Sequence, residues 1–239
     1  MVTGVVDSGL GKRLLDGPLR VSTDSLFPGD RRVRFSPSRA LSTYFLDTPR
    51  QFSGSLFDFF GGGGDRPDVA NQITREDMLA VAAVNGAMPA CVAEQLLSEP
   101  ASGRIAAWLL QLPTDIDLWD ADDETLAVGT EAWAEIRAIH EACTATEGGW
   151  VVANKMLARK RPRLIPQYDA KVRRVVDLDG GASWWFSLRD ALGSDGEDNE
   201  IRYRVGAAMR DAGVRYISVL RGLDVILWSY ANFGERTQA

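Results

Sequence analysis

The sequence predicts an all-α protein, a compact multi-helix bundle preceded by an irregular N-terminal arm. Three observations carry this reading. From Thr74 onward apolar residues recur mostly at helical spacing, and little of the chain alternates as a half-buried strand does. Glycine and proline fall between these runs at short intervals, as in a bundle whose helices are joined by short turns. Residues 1–43, by contrast, mix Gly, Pro, Ser, Asp and Arg with neither period.

Residues 1–43 are therefore expected as the arm, with PLRVS and RRVRFS as short pieces that could pair as strands, and 44–239 as one helical domain. The aromatics of YFLDTPRQFSGSLFDFF suit docking on that body. Gly61–Gly64 form a joint; the run lacks the Lys-Ser/Thr ending of a phosphate-binding P-loop and reads as a plain loop. Thr74 and Asp77 have capping-box spacing, and Met78, Leu79, Val81, Ala82 and Val84 give the helix that follows its apolar positions. Gly86 and Pro89 break it. A second helix is expected over Ala90–Leu97, and a third over Gly103–Leu112 with Ile105, Trp108 and Leu109 inward.

The acidic stretch PTDIDLWDADDET brings Asp115, Asp117, Asp120, Asp122 and Asp123 close together. Such carboxylates can hold a hard cation, and a metal-dependent nuclease is one reading. The stretch lacks the central glycine and terminal glutamate of a calcium hand, however. Asp122 or Asp123 as the N-cap of the long helix ETLAVGTEAWAEIRAIHEAC is the preferred account, and no metal is expected. Trp119, Trp133 and Ile136 read as core. Trp184, Trp185, Phe186, Leu188 and Leu192 form a further apolar stripe, GSDGEDNE an exposed acidic loop, and Ile201–Met209 and Val214–Tyr230 the last helices.

Composition narrows the function classes. The 239 residues are 45% hydrophobic, enough for a real core. The longest apolar stretches are interrupted by Asn85, Gly86 and Pro89, and by Arg221 and Asp224, so no membrane span is expected and the cytoplasm is the expected location. Cys91 and Cys143 are too few for a disulfide framework and are expected as buried free thiols. With His140 the only histidine, a Ser-His or Cys-His hydrolase lacks its parts. No cofactor is expected.

Against a net charge of −6 and a pI near 5.0, the segment GGWVVANKMLARKRPRLIPQYDAKV concentrates Lys155, Arg159, Lys160, Arg161, Arg163 and Lys171, with Asp169 its one acid. Local fields, not net charge, bind polyanions, so this patch makes DNA the expected partner. Gly148 and Gly149 at the helix start can bare backbone amides to a phosphate, and Trp150 can serve as packing or as a stacking surface. Lys155, Arg159 and Lys160 are expected to reach past a buried face of Val151, Val152, Met156 and Leu157 into solvent, together with Arg161.

The run Glu147-Gly148-Gly149-Trp150-Val151-Val152-Ala153-Asn154, then Leu157, Asp169 and Val172, resembles the helix-hairpin-helix segment of the base-excision DNA glycosylases. The resemblance implies a hairpin near 145–175 that binds the DNA backbone through Gly149 and Ala153, and a catalytic carboxylate at Asp169 beside a flipped nucleotide, with Trp150 or Tyr168 near the base. Val151 stands where bifunctional members carry a lysine nucleophile, so the implied activity is monofunctional. The residues themselves allow Asp169 a second role, as N-cap of the helix AKVRRVV. Over about two thirds of its length, through FGGGGDRPDVANQITREDMLAVAAVNGAMP, LLQLPTDIDLWDA and LARKRPRLIPQYDAKV, the chain also resembles an uncharacterised bacterial family of domains of unknown function. The expected function is DNA-backbone binding with glycosylase-like hydrolysis. The alternative is a non-enzymatic scaffold that meets an acidic protein partner.

Overall fold

The computed structural model describes residues 9–20, 35–85, 87–177, 183–193 and 199–233. Among these residues the chain is all-α, a multi-helix bundle without strands. Of the proposed strands, residues 18–20 of PLRVS and 35–36 of RRVRFS form no strand, while the rest of both, the break at Gly86 and most of the GSDGEDNE loop lie outside the described residues. No helix among the described residues is long and apolar enough to cross a membrane.

Helix starts follow the side chains available to accept the unpaired first-turn amides. After α1 (Leu10–Asp16), α2 (Pro37–Leu46) opens with Ser36 accepting from the Arg39 amide and Pro37 in its first turn. In front of α3 (Arg75–Asn85), Asp77 accepts from the Thr74 amide at 2.8 Å while the Thr74 hydroxyl accepts from the Asp77 amide at 3.3 Å, the reciprocal box expected there. Helices α4 (Ala90–Leu97) and α5 (Ala101–Leu109) each follow a proline. The long α6 (Asp123–Thr144) is capped by Asp122, which accepts from the Thr125 amide at 2.8 Å. It ends at Ala145 in the left-handed region, φ 52°. The turn 145–148 leads into α7 (Gly149–Lys160), and α8 (Ala170–Val176) is capped by Asp169. Then come α9 (Ser183–Gly193), α10 (Glu200–Asp211) capped by Asn199, and α11 (Val219–Phe233).

One continuous core joins these helices. α6 lies at its centre, against α4, α5, α7 and α9, while α11 closes the other side against α2, α8 and α10. Trp184, Trp185, Leu188 and Leu192 are fully buried, as their spacing requires, and so are Trp133 and Ile136; Trp119 is half-buried.

The expected irregular arm over 1–43 needs correction in its described parts. Residues 10–16 are helical, and Leu10, Leu14 and Leu19 are buried in the main core, where α1 packs on α8, α9 and α10. Spacing of four between Leu10 and Leu14 carried this helix, but the glycines around it masked the period. Cys91 is exposed and Cys143 half-buried, both free, so neither is the buried thiol expected.

Candidate active site

The basic segment becomes α7 and the turn after it, and the structure turns its cations inward. Lys155, Arg159, Lys160 and Arg161 are all buried, none more than 5% exposed. The expectation that Lys155, Arg159 and Lys160 reach solvent, and Arg161 with them, is therefore corrected. α7 is buried on nearly every face, wedged between α6 and α3. A charged group so placed needs partners that replace its water. Arg159 Nε donates to Asp77 Oδ1 at 2.7 Å, and its other nitrogens donate to the carbonyls of Phe57 and Phe60. Lys160 contacts the same Asp77 carboxylate and donates to the carbonyls of Gly64 (3.2 Å) and Val69 (3.1 Å).

Among the described residues no carboxylate contacts Arg161. Its fork donates to the carbonyls of Leu112 and Ala70 at 2.8 Å, to Asn71 Oδ1 at 2.7 Å and to the Leu109 carbonyl. It thereby serves the unpaired carbonyls at the end of α5. Burial pulls its guanidinium down to about 10, still charged at neutral pH. The joint at Gly61–Gly64 closes over these cations. Gly61, Gly62 and Gly63 have positive φ, and a Cβ on Gly64 would lie 2.6 Å from Arg159 Cγ. Gly64 presents its carbonyl oxygen to Lys160, the reverse of a phosphate loop.

The hairpin glycines divide in the same way. Gly148 is exposed in the turn, whereas Gly149 is buried where a Cβ would sit 2.7 Å from the Arg137 carbonyl of α6. Gly149 is thus required by the close approach of α6 and α7. Trp150 is half-buried with its ring 5.6 Å from Tyr168, and Tyr168 stacks on Trp184 at 5.2 Å with no exposure. The suggestion that Tyr168 lies near a flipped base is corrected: it is core. Asn154, also fully buried, accepts from the Trp185 indole at 3.0 Å and ties α7 to α9.

The acids of 115–123 go separate ways. Asp117 pairs with Arg163 at 2.6 Å, Asp122 caps α6, and Asp123 meets Arg189 at 2.5 Å.

What the segment does build is one wall of a cavity. Asp169 Oδ1 accepts from the amides of Lys171 (2.8 Å) and Val172 (3.0 Å) as the α8 cap, while Oδ2 lies 3.8 Å from Lys155 Nζ. The cap thus uses one oxygen and leaves the other beside Lys155. Lys155 and Asp169 line a cavity of about 190 Å³ with Gln167, Arg221, Asp224, Ser53, Gly54 and the rings of Tyr44, Phe52 and Trp228. A wider cleft of about 600 Å³ beside Phe59, Arg215 and Tyr216 has its Arg163 already paired to Asp117.

Electrostatics set the cavity apart. Burial pulls the Lys155 amine below its usual range, against the opposing pull of Asp169 and Asp224. Burial also pushes the Asp224 carboxyl up to about 6, against the opposing effect of Arg221. Arg221 contacts Asp224, donates to Asp58 at 2.8 Å and to the Gly54 carbonyl at 2.8 Å, and lies over the Tyr44 ring at 5.4 Å. Displaced titrating groups gathered around a cavity make this the candidate site. Sequence reasoning found Lys155 and Asp169 but assigned the first to DNA, and it missed Asp224, Arg221, Gln167 and the rings. Its available signal was the pair Arg221 and Asp224, three residues apart inside an otherwise apolar helix, where charge must be internally matched.

Over residues 38–231 the chain belongs to a family of unknown function (DUF6308). No curated protein and no solved structure matches it.

Proposed function

We propose that the cavity between α3, α8 and α11 hydrolyses an N-glycosidic bond in the manner of a monofunctional DNA glycosylase, with Asp169 as its catalytic carboxylate. The observation that carries this reading is the division of labour on Asp169: Oδ1 is held by two amides of α8, and Oδ2 faces the cavity beside Lys155. A carboxylate so fixed stabilises positive charge developing on a sugar without reorganising. The rings of Tyr44, Phe52 and Trp228 offer a flat ligand apolar walls, and Gln167 offers polar atoms to its edge. In the reaction the bond between sugar C1′ and base nitrogen breaks, and the electron pair leaves with the base. The acid form of Asp224 protonates the base, water adds at C1′, and Asp169 takes the proton that water gives up.

The phosphate-binding part of the reading shifts away from Lys155, Arg159, Lys160 and Arg161, which are engaged inside. The backbone amide at exposed Gly148 takes its place, together with the more accessible Arg50 and Lys171, which lie within two residues of the cavity-lining Gln51 and Asp169. The test is base release from oligonucleotides carrying uracil, hypoxanthine or alkylated purines, with Asp169→Asn as the comparison. Asparagine keeps an oxygen for the α8 amides, so the fold is expected to survive while release falls by about 10²–10⁴-fold. Release that Asp169→Asn leaves unchanged overturns the assignment.

The internal engagement of the four cations favours a second reading, a non-enzymatic scaffold that binds a protein partner. Absence of base release together with absence of salt-dependent DNA binding by the folded wild type selects it.

A further inference from the structure

Lys155 and Lys160 lie on one helix, and both are buried, yet their surroundings differ. A lysine ammonium has three protons to donate. Lys160 has three acceptors, Asp77 and the carbonyls of Gly64 and Val69, and does not line the cavity. Lys155 donates to the Val84 carbonyl at 3.2 Å, pairs with Asp169 at 3.8 Å, and opens onto the cavity. A buried amine that opens onto a cavity is placed to act as a nucleophile.

We propose that Lys155 is a carbonyl-binding residue whose Nζ condenses with the aldehyde of a small ligand in this cavity to form a protonated imine. The Nζ lone pair forms a bond to the carbonyl carbon, the C=O π pair moves to oxygen, and one proton passes from nitrogen to that oxygen to give a neutral carbinolamine. Asp224 delivers a proton to that hydroxyl, the C–O bond breaks, water leaves, and the nitrogen retains one proton as an iminium. Asp169 Oδ2 then faces the iminium charge as it faced the ammonium. The charged groups around Nζ are Asp169 before α8 and Asp224 and Arg221 on α11; α3 contributes the Val84 carbonyl. Burial keeps more of this amine in its unprotonated form at neutral pH than an exposed lysine has. The cavity volume, about 190 Å³, limits the ligand to a short aldehyde or the aldehyde form of a sugar.

The imine uses the proposed hydrolytic cavity but does not require Asp169 to turn over a substrate. Its test is reductive trapping: the full chain at pH 7 is incubated with glycolaldehyde and cyanoborohydride, and alkylation is mapped by peptide mass. The chain has four lysines, Lys12, Lys155, Lys160 and Lys171, so each serves as an internal control. The expected result is alkylation at Lys155 above that at Lys12 and Lys171, because more of its amine is free at pH 7. In Lys155→Arg that adduct disappears while the levels at Lys12 and Lys171 stay as they were. Alkylation of Lys12 and Lys171 with Lys155 unmodified, or modified no more than they are, overturns the proposal. Base release is measured without reductant, so failure of the imine leaves the glycosidic reading to stand or fall separately.

Discussion

Asp77 Oδ1 lies 2.7 Å from Arg159 Nε, and both side chains are buried. The same carboxylate closes the capping box with Thr74 and contacts Lys160. One acid therefore starts α3 and neutralises two cations of α7, which locks the helices together. Asp77→Ala removes all of this and leaves two buried cations without a counter-ion. Losing one partner of a buried pair costs about 3–5 kcal/mol. A drop of that size is expected in urea unfolding, and a change under about 1 kcal/mol would show that the α7 cations are solvated in the native state.

Arg161 makes a second, separable prediction. Its planar fork serves carbonyls of Leu109, Leu112 and Ala70 and the amide of Asn71 at once. Lysine keeps the charge but not the fork. Arg161→Lys should lose about 1–3 kcal/mol through carbonyls left without a donor, seen as a lower denaturation midpoint at unchanged net charge.

The turn into α7 separates two adjacent glycines. Gly149→Ala puts a methyl 2.7 Å from the Arg137 carbonyl and forces α6 from α7, at an expected cost of about 1–3 kcal/mol. Gly148→Ala meets nothing closer than 3.8 Å and has φ −78°, so its effect should stay within about 0.5 kcal/mol. Equal effects in thermal unfolding would contradict a packing role for Gly149.

Asp224 gives the fold a pH dependence of defined sign. Its folded pKa is about 6 against an ordinary 3.8, so between those values the folded state holds the proton more firmly. Its contribution to stability is complete below that window and is lost as pH rises through about 6. Asp224→Asn does not titrate, and Arg221 retains Asp58. The variant should therefore gain stability relative to wild type as pH rises across the window, measured from paired urea midpoints. A constant difference would place the titration elsewhere.

Much of the helical framework was legible in local signals. The Thr74–Asp77 box, the bounds of α4 and the caps at Asp122 and Asp169 all depend on residues within one turn of each other. What the sequence hid is long-range. Lys155, Arg159 and Lys160 look like a solvated face because most of their acceptors are carbonyls of Val84, Phe57, Phe60, Gly64 and Val69, which carry no residue-type signature, and Asp77, the carboxylate of Arg159 and Lys160, lies far away in sequence. The cavity likewise joins residues of α2, α3, α7 and α11 that only tertiary packing brings together. Lys155 and Asp169 were found through local pattern, whereas Asp224 needed the fold.

Nucleic-acid binding, where it occurs, must use accessible charge. Reversal of Arg159 or Lys160 would unfold the core and confound any binding measurement, because both charges are matched to Asp77 inside it. Lys171 is half-buried at the start of α8, and Arg50 is exposed beside the cavity-lining Gln51. Each side chain that no longer neutralises a phosphate should reduce the slope of log K against log salt by about 1. Anisotropy of labelled single- and double-stranded DNA should therefore show a salt slope for wild type that falls by about 2 in the Arg50→Glu, Lys171→Glu variant. The same slope in both proteins would move the phosphate-binding groups away from the cavity mouth, and with them the case that Asp169 meets a nucleotide.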